Sequence, residues 1–256
     1  MPYATNDGVR IYYERVGDGP PIVLHHGFSL SIADWREWGI VDALRGEYEL
    51  VLMDPRGHGA SDKPHDPATY AMATRVADVV AVMDGAGIER ATFFGYSMGG
   101  HVGYAAAEYA PSRFRAFIIG GAQPSLPAVE HLIRGAEALR RGGMAGYVEA
   151  LGPIPVEMRR RLLANDAEAL AASRIGTSRA PSYEDAVARL RVPMLVFAGE
   201  NDQPIHDQAQ RAASGNPHVR FVSLPGFGHV NVASAAVVPH LRTFLAEVYG
   251  PASTPA

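Results

Sequence analysis

Short apolar runs bounded by turn residues recur along the chain, and they fall into two kinds. Val9–Val16 alternates apolar with polar positions and reads as a half-buried edge strand; Val219–Leu224 alternates in the same way. PIVLH at 21–25, ELVLM at 49–53, Ala91–Phe94, Phe114–Ile119 and PMLVFA at 193–198 are continuous runs, as expected of strands buried on both faces. Between most of them the period changes. Val76, Val79, Val80 and Met83 fall at i, i+3, i+4 and i+7, and Val237, Val238, Leu241, Phe244, Leu245 and Val248 form a similar helical stripe. Strands alternating with helices predict a mostly parallel sheet covered by helices on both faces. No repeat of solenoid period is present.

The alternation breaks once. From about Ala122 to Arg191 no strand pattern is convincing, whereas Val129–Arg141 and Val156–Ser173 carry helical patterns, punctuated by Gly142-Gly143, Gly152-Pro153 and Pro155. We therefore expect a core made of 1–121 and 192–250, with 122–191 as a helical insert placed as a lid, because long connections in α/β domains are usually functional. The tail PASTPA, 251–256, is expected to be disordered.

Composition narrows the function classes. The 256 residues suit one large domain with an insert. The formal net charge is −4, lysine is scarce, and no basic block exists, which argues against nucleic acid as a partner. RRGG at 140–143 and RRR at 159–161 are short enough to be solvated helix faces. With no cysteine, a disulfide framework, a thiolate metal site and a cysteine nucleophile are all excluded. The N-terminus lacks the regions of a signal peptide, and no apolar run has bilayer length, so the expectation is a cytoplasmic protein without membrane contact. Nothing in the sequence decides oligomeric state, and a homo-oligomer stays open.

In an open parallel sheet, chemistry collects at the carboxyl ends of the strands. His26-Gly27-Phe28-Ser29 follows PIVLH, and DPRGHGAS follows ELVLM. Gly95-Tyr96-Ser97-Met98-Gly99 follows ATFF, Gly199-Glu200-Asn201-Asp202 follows PMLVFA, and Pro225-Gly226-Phe227-Gly228-His229 follows VRFVSL. A serine, an acid and a histidine thus project from strand ends in that chain order, as a nucleophile elbow with its partners requires. A serine hydroxyl needs a base to take its proton, imidazole titrates near neutrality, and the acid orients the imidazole. The charge on a tetrahedral intermediate needs backbone N–H donors. Met98, at the helix start, and Phe28, after Gly27, are the candidates. Ser97 as a plain helix cap and the pentad as a phosphate loop are the competing readings; no Gly-Lys-Ser/Thr follows, which removes the second. His25, His26 and His58 read as turn-stabilising histidines and His101 as packed. Asp54 and Arg56 read as loop stabilisers. His206 and Asp207 lack metal-ligand spacing, so no metal and no cofactor is expected.

HHGF at 25–28, MDPRGHGASD at 53–62, GYSMGG at 95–100, AGENDQPI at 198–205 and PGFGHV at 225–230 together resemble the α/β-hydrolase superfamily, in particular its small capped serine esterases and lactonases. The resemblance implies an eight-stranded, mostly parallel sheet flanked by helices, with a short helical cap. It implies Ser97 as nucleophile, His229 as base and Asp202 as triad acid in preference to Glu200, with Phe28 and Met98 as oxyanion hole. Epoxide hydrolases and haloalkane dehalogenases of this fold place aspartate where Ser97 stands, so the resemblance points to acyl transfer through an acyl-serine. A carboxylesterase acting on small or medium esters leads. A lactonase or enol-lactonase is next, then a C–C bond hydrolase of ring-cleavage products; a small-molecule receptor on the same fold is the non-enzyme alternative. Either way the expected partner is a small molecule, an ester or lactone. Trp35, Met144, Tyr147, Leu151, Ile205 and Val230 are the candidate pocket residues beside Phe28 and Met98.

Overall fold

The computed structural model describes residues 2–126, 128–230 and 234–250. Its strands are β1 (Tyr3–Asn6), β2 (Val9–Val16), β3 (Pro21–His25), β4 (Glu49–Met53), β5 (Ala91–Tyr96), β6 (Phe114–Gly120), β7 (Met194–Gly199) and β8 (Val219–Leu224). Its helices are α1 (Ile32–Glu37), α2 (Ile40–Leu44), α3 (Met72–Gly85), α4 (Met98–Tyr109), α5 (Val129–Ala150), α6 (Val156–Leu163), α7 (Ala167–Thr177), α8 (Glu184–Arg189), α9 (Ile205–Ser214) and α10 (Val238–Tyr249). The strands form one sheet in the order β1-β2-β4-β3-β5-β6-β7-β8. β1 and β2 pair antiparallel, as do β2 and β4; all other pairs are parallel. This is the α/β-hydrolase architecture expected from the sequence.

The continuous strands are buried on both sides because their alternate residues feed two separate cores. Val23, Val51, Met53 and Phe93 pack with α3, α4, α8 and α9, whereas Ile22, Leu24, Leu50, Leu52 and Phe94 pack with α1, α2 and α10. A one-residue slip would exchange the two sets, so the register is strongly specified. β1 is the strand that no apolar run announced. It is short, half exposed and at the sheet edge, and it joins β2 through Asp7-Gly8, both at positive φ. That pair of left-handed residues is the tight hairpin turn that matches strand twist.

The segment between β6 and β7 is helical, with boundaries that differ from the sequence pattern. Helical residues run from Val129 to Ala150, but Gly143 is non-helical (φ 59, ψ −163), so the first helix ends at the glycine pair as the pattern predicts and a second helix follows the kink. The predicted Val156–Ser173 helix is two helices, because Asp166 starts a new one by accepting from the N–H groups of Glu168 and Ala169. Ala136, Leu139, Met144, Leu170 and Ala171 make a small core of their own, on which Phe28 packs. Tyr183, Ala186, Val187 and Leu190, near the end of the segment, belong instead to the core around α3 and α4. The tail 251–256 lies outside the described residues. Among the described residues no helix is long and apolar enough to cross a membrane.

Candidate active site

β5 is buried along its whole length and ends in a turn too tight for ordinary residues. Ser97, between β5 and α4, has φ 54 and ψ −112, a conformation that costs energy in any residue with a Cβ. A Cβ on Gly95 would collide with the Gly99 carbonyl, and one on Gly99 with the His25 carbonyl. The two glycines let the chain cross itself, and the Ser97 N–H is tied to the Gly120 carbonyl at 2.8 Å. The turn thereby holds the Ser97 hydroxyl beyond the strand end.

The hydroxyl meets a histidine there. Ser97 Oγ lies 2.9 Å from His229 Nε2, and His229 Nδ1 lies 2.8 Å from Asp202 Oδ2. Asp202 is buried and follows β7; His229 is partly exposed and follows β8. Glu200, the rival acid, is exposed. The Tyr96 hydroxyl donates to the His229 carbonyl, and burial, with Asp202 nearby, pushes the Tyr96 phenol well above its ordinary range. Tyr96 thus enters as a neutral donor that fixes the histidine loop. An imidazole held this way can take a proton from the serine on one nitrogen while the carboxylate stabilises the charge at the other.

Phe28 and Met98 line the same cavity from different elements. Neither the Met98 nor the Phe28 N–H has an acceptor among the described residues. Met98 is the first residue of α4, where helix geometry leaves N–H groups unpaired. The loop carrying Phe28 is built by buried Asp54. Its carboxylate accepts from Ile32 N–H at 3.0 Å and Ala60 N–H at 2.9 Å, and faces His26 Nε2 at 3.3 Å. Burial works to raise the Asp54 carboxyl, but His26 and the two N–H donors outweigh it and hold it below its ordinary value. Arg56 closes the neighbouring loop, with Nε and Nη2 at 2.5 and 2.6 Å from the two oxygens of Asp78. The far side of the Phe28 loop is held by the helical segment: Asn165 Nδ2 donates to the Ser29 carbonyl at 2.9 Å, and Tyr147 Oη is 3.1 Å from Ser29 Oγ.

His25 and His58 are fully buried, each with Nδ1 near a backbone carbonyl, that of His26 at 3.0 Å and of Arg56 at 3.1 Å. Burial, then neighbouring His26, pushes His25 from 6.5 down to about 3 and His58 well below 6.5. A depressed folded value means that the unfolded chain takes up protons which the folded chain refuses. Stability contributed by the neutral rings is complete above pH 6.5 and is lost as pH falls from there toward 3. Chemical denaturation at pH 7.5, 6 and 5 should show a falling stability, with a slope from these two rings of at most about 2.7 kcal/mol per pH unit. An unchanged midpoint over that range contradicts it.

The sequence profile of the alpha/beta hydrolase fold matches residues 20–168, more than half of the chain. The chain belongs to the α/β-hydrolase fold family. The chain is similar to a non-heme haloperoxidase of Rhodococcus erythropolis, 29% identical over 261 aligned positions, covering 90% of this chain and 93% of the relative. Among solved structures it is similar to the enol-lactonase of Burkholderia xenovorans LB400, with TM-score 0.85 and 26% identity, covering 96% of this chain and 100% of that one. It is also similar to a thermophilic esterase of Thermogutta terrifontis, solved with malate bound, with TM-score 0.84 and 26% identity, covering 96% and 98%.

Ser97 and His229 open on a cavity of about 500 Å³. Of the candidate pocket residues, Tyr147, Leu151, Ile205 and Val230 line it. Trp35 and Met144 do not. Trp35 is wholly buried in the core, 4.8 Å from the Phe94 ring, and its neighbour Trp38 takes the wall, against Tyr96 at 5.0 Å. The two tryptophans are three residues apart, and only packing decides which of them faces the sheet. Met144 lies in the small core of α5 and α7, just past the kink. His101, expected to be packed, stands on the cavity wall; its place four residues after Ser97, on one helix face, was the available signal. Burial, then His229, pushes His101 down to about 4, so its ring is neutral at pH 7. Arg174, on α7, was not signalled at all. Among the described residues no group of three His, Asp or Glu side chains is placed to hold a metal ion.

Proposed function

We propose that the protein is a serine carboxylesterase that cleaves small or medium carboxylic esters through an acyl-serine intermediate. The observation that carries this reading is the hydrogen-bonded chain Ser97–His229–Asp202 opening on a cavity of about 500 Å³. That volume suits a small or medium ligand. Ser97 Oγ forms a bond to the ester carbonyl carbon while His229 Nε2 takes its proton. The carbonyl oxygen gains the charge and receives hydrogen bonds from Phe28 N–H and Met98 N–H. The carbon–oxygen bond to the alcohol then breaks, and His229 returns the proton to the leaving oxygen. Water, deprotonated by His229, attacks the acyl-serine; Ser97 recovers its proton and the acid departs. Asp202 holds His229 Nδ1 throughout and stabilises the imidazolium. The helical segment 122–191 acts as the cap, because α5, α6 and α7 supply side chains that line the same cavity.

Lactones are the second reading, supported by likeness over 96% of the chain to an enol-lactonase. The same steps apply, except that the leaving oxygen stays attached. A panel of p-nitrophenyl esters of increasing acyl length and of five- and six-membered lactones tests both. Turnover of the shorter esters above any lactone is the expected result. Faster lactone opening moves the assignment to the second reading. Binding without turnover of either class would indicate a receptor.

A further inference from the structure

The cap carries a cation with no counter-ion among the described residues. Arg174 lines the cavity from α7, and among the described residues no carboxylate forms an ion pair with it. Its Nε is buried and has no hydrogen-bond partner. Its guanidinium carbon stands 4.4 Å over the centroid of the Phe28 ring, with Tyr147 as the polar neighbour. Burial outweighs Tyr147 and pulls the Arg174 value down, as expected of a charge held without compensation.

The other charges near the cavity are spoken for. Asp34 and Glu37 also line it, and both are engaged by Arg161, at 3.1 and 2.7 Å. A second arginine adds to the positive field. Arg75 is fully buried and forms no ion pair among the described residues; its Nη2 donates to Ser173 Oγ at 2.8 Å and Thr177 Oγ1 at 3.1 Å, and both hydroxyl residues line the cavity. Asp78, which acts on Arg75 through space, is held at both oxygens by Arg56. A buried cation left unpaired destabilises a fold. Stacking on Phe28 attracts the guanidinium but leaves its charge unneutralised.

We propose that Arg174 is an anion subsite and that the substrate carries a carboxylate on its acyl portion. This deepens the esterase reading and rests on it. The acyl portion is the part that stays on Ser97 beneath the cap while the alcohol leaves. A carboxylate there replaces the missing counter-ion, and the planar guanidinium suits it. Phe28 links the two sites, with its N–H toward the reacting carbonyl and its ring beneath Arg174.

The test compares mono-p-nitrophenyl glutarate, an anion, with p-nitrophenyl valerate, its neutral counterpart, in wild type, Arg174→Gln and Arg174→Lys. Wild type should favour the anionic ester by about ten-fold or more in kcat/KM, as a charge-assisted hydrogen bond implies. Arg174→Gln should erase that ratio, and Arg174→Lys should keep part of it. A structural role through Phe28 would slow both esters alike and leave the ratio unmoved, which overturns the proposal. So does a wild-type preference for the neutral ester. Calorimetry on Ser97→Ala with monomethyl glutarate and with dimethyl glutarate separates the subsite from the chemistry. If wild type turns over neither ester but Ser97→Ala binds the anion more tightly, and loses this with Arg174→Gln, the esterase reading fails and the subsite stands. Equal binding of the two ligands sinks the subsite.

Discussion

Ser97→Ala should lower turnover of a short p-nitrophenyl ester by about 10⁴–10⁶-fold, because the members of such a triad act as a unit and removal of one forfeits most of the catalysis. The substitution removes one hydroxyl whose hydrogen bond goes to His229 at 2.9 Å. Alanine meets the same backbone conformation, φ 54, so the turn is no more strained than before. A denaturant midpoint close to wild type should therefore accompany the loss, separating chemistry from folding. The residual rate should come from the oxyanion donors and the cavity. Equal rates in the two proteins would remove Ser97 from the mechanism and leave the receptor reading in place.

Asp202→Asn should lower the same rate by about 10³–10⁴-fold, whereas Glu200→Gln should change it by no more than about two-fold. The carboxylate of Asp202 is buried 2.8 Å from His229 Nδ1. An amide there is nearly isosteric but offers a donor where the ring needs an acceptor, so the ring is driven to the wrong tautomer and its charged form loses its stabiliser. Glu200 lies two residues closer to β7 and is exposed to solvent, which screens its charge. Measuring both variants at one pH decides the assignment; the reverse order would make Glu200 the acid.

Much of this site was legible because chain order and strand ends carry topological information. Each of the turns GYSMG, GENDQ and GFGH follows a strand run, and parallel strands bring their carboxyl ends to one edge. Glu200 against Asp202 was open from the residues alone, since a shift of two positions keeps the same side of an extended chain. The reach to His229 separates them, and that depends on how the chain turns after Gly199. β1 escaped notice because four residues at a sheet edge, only one of them buried, leave no apolar run; Asp7-Gly8 was its signal. In the helical segment after β6, Val156–Ser173 reads as one helix by period, and only Asp166 at the helix start divides it. Trp35 and Trp38 show the same limit, since both are large and apolar and the core could take either.

Period, punctuation and spacing along the chain thus determined the layered architecture, the place of the helical insert, and the order serine, acid, histidine. These are local or topological properties, written in which residues alternate and which follow a strand. Tertiary structure decided what depends on the distance between remote segments: the bonds among Ser97, His229 and Asp202, the side of α1 that meets the core, and the closure of a cavity by α5–α7. It also decided that, among the described residues, Arg174 stands there without a carboxylate. An arginine in a helix is ordinary by sequence, and its charge becomes informative only once the fold has partly buried it and engaged the cavity's acids, Asp34 and Glu37, elsewhere.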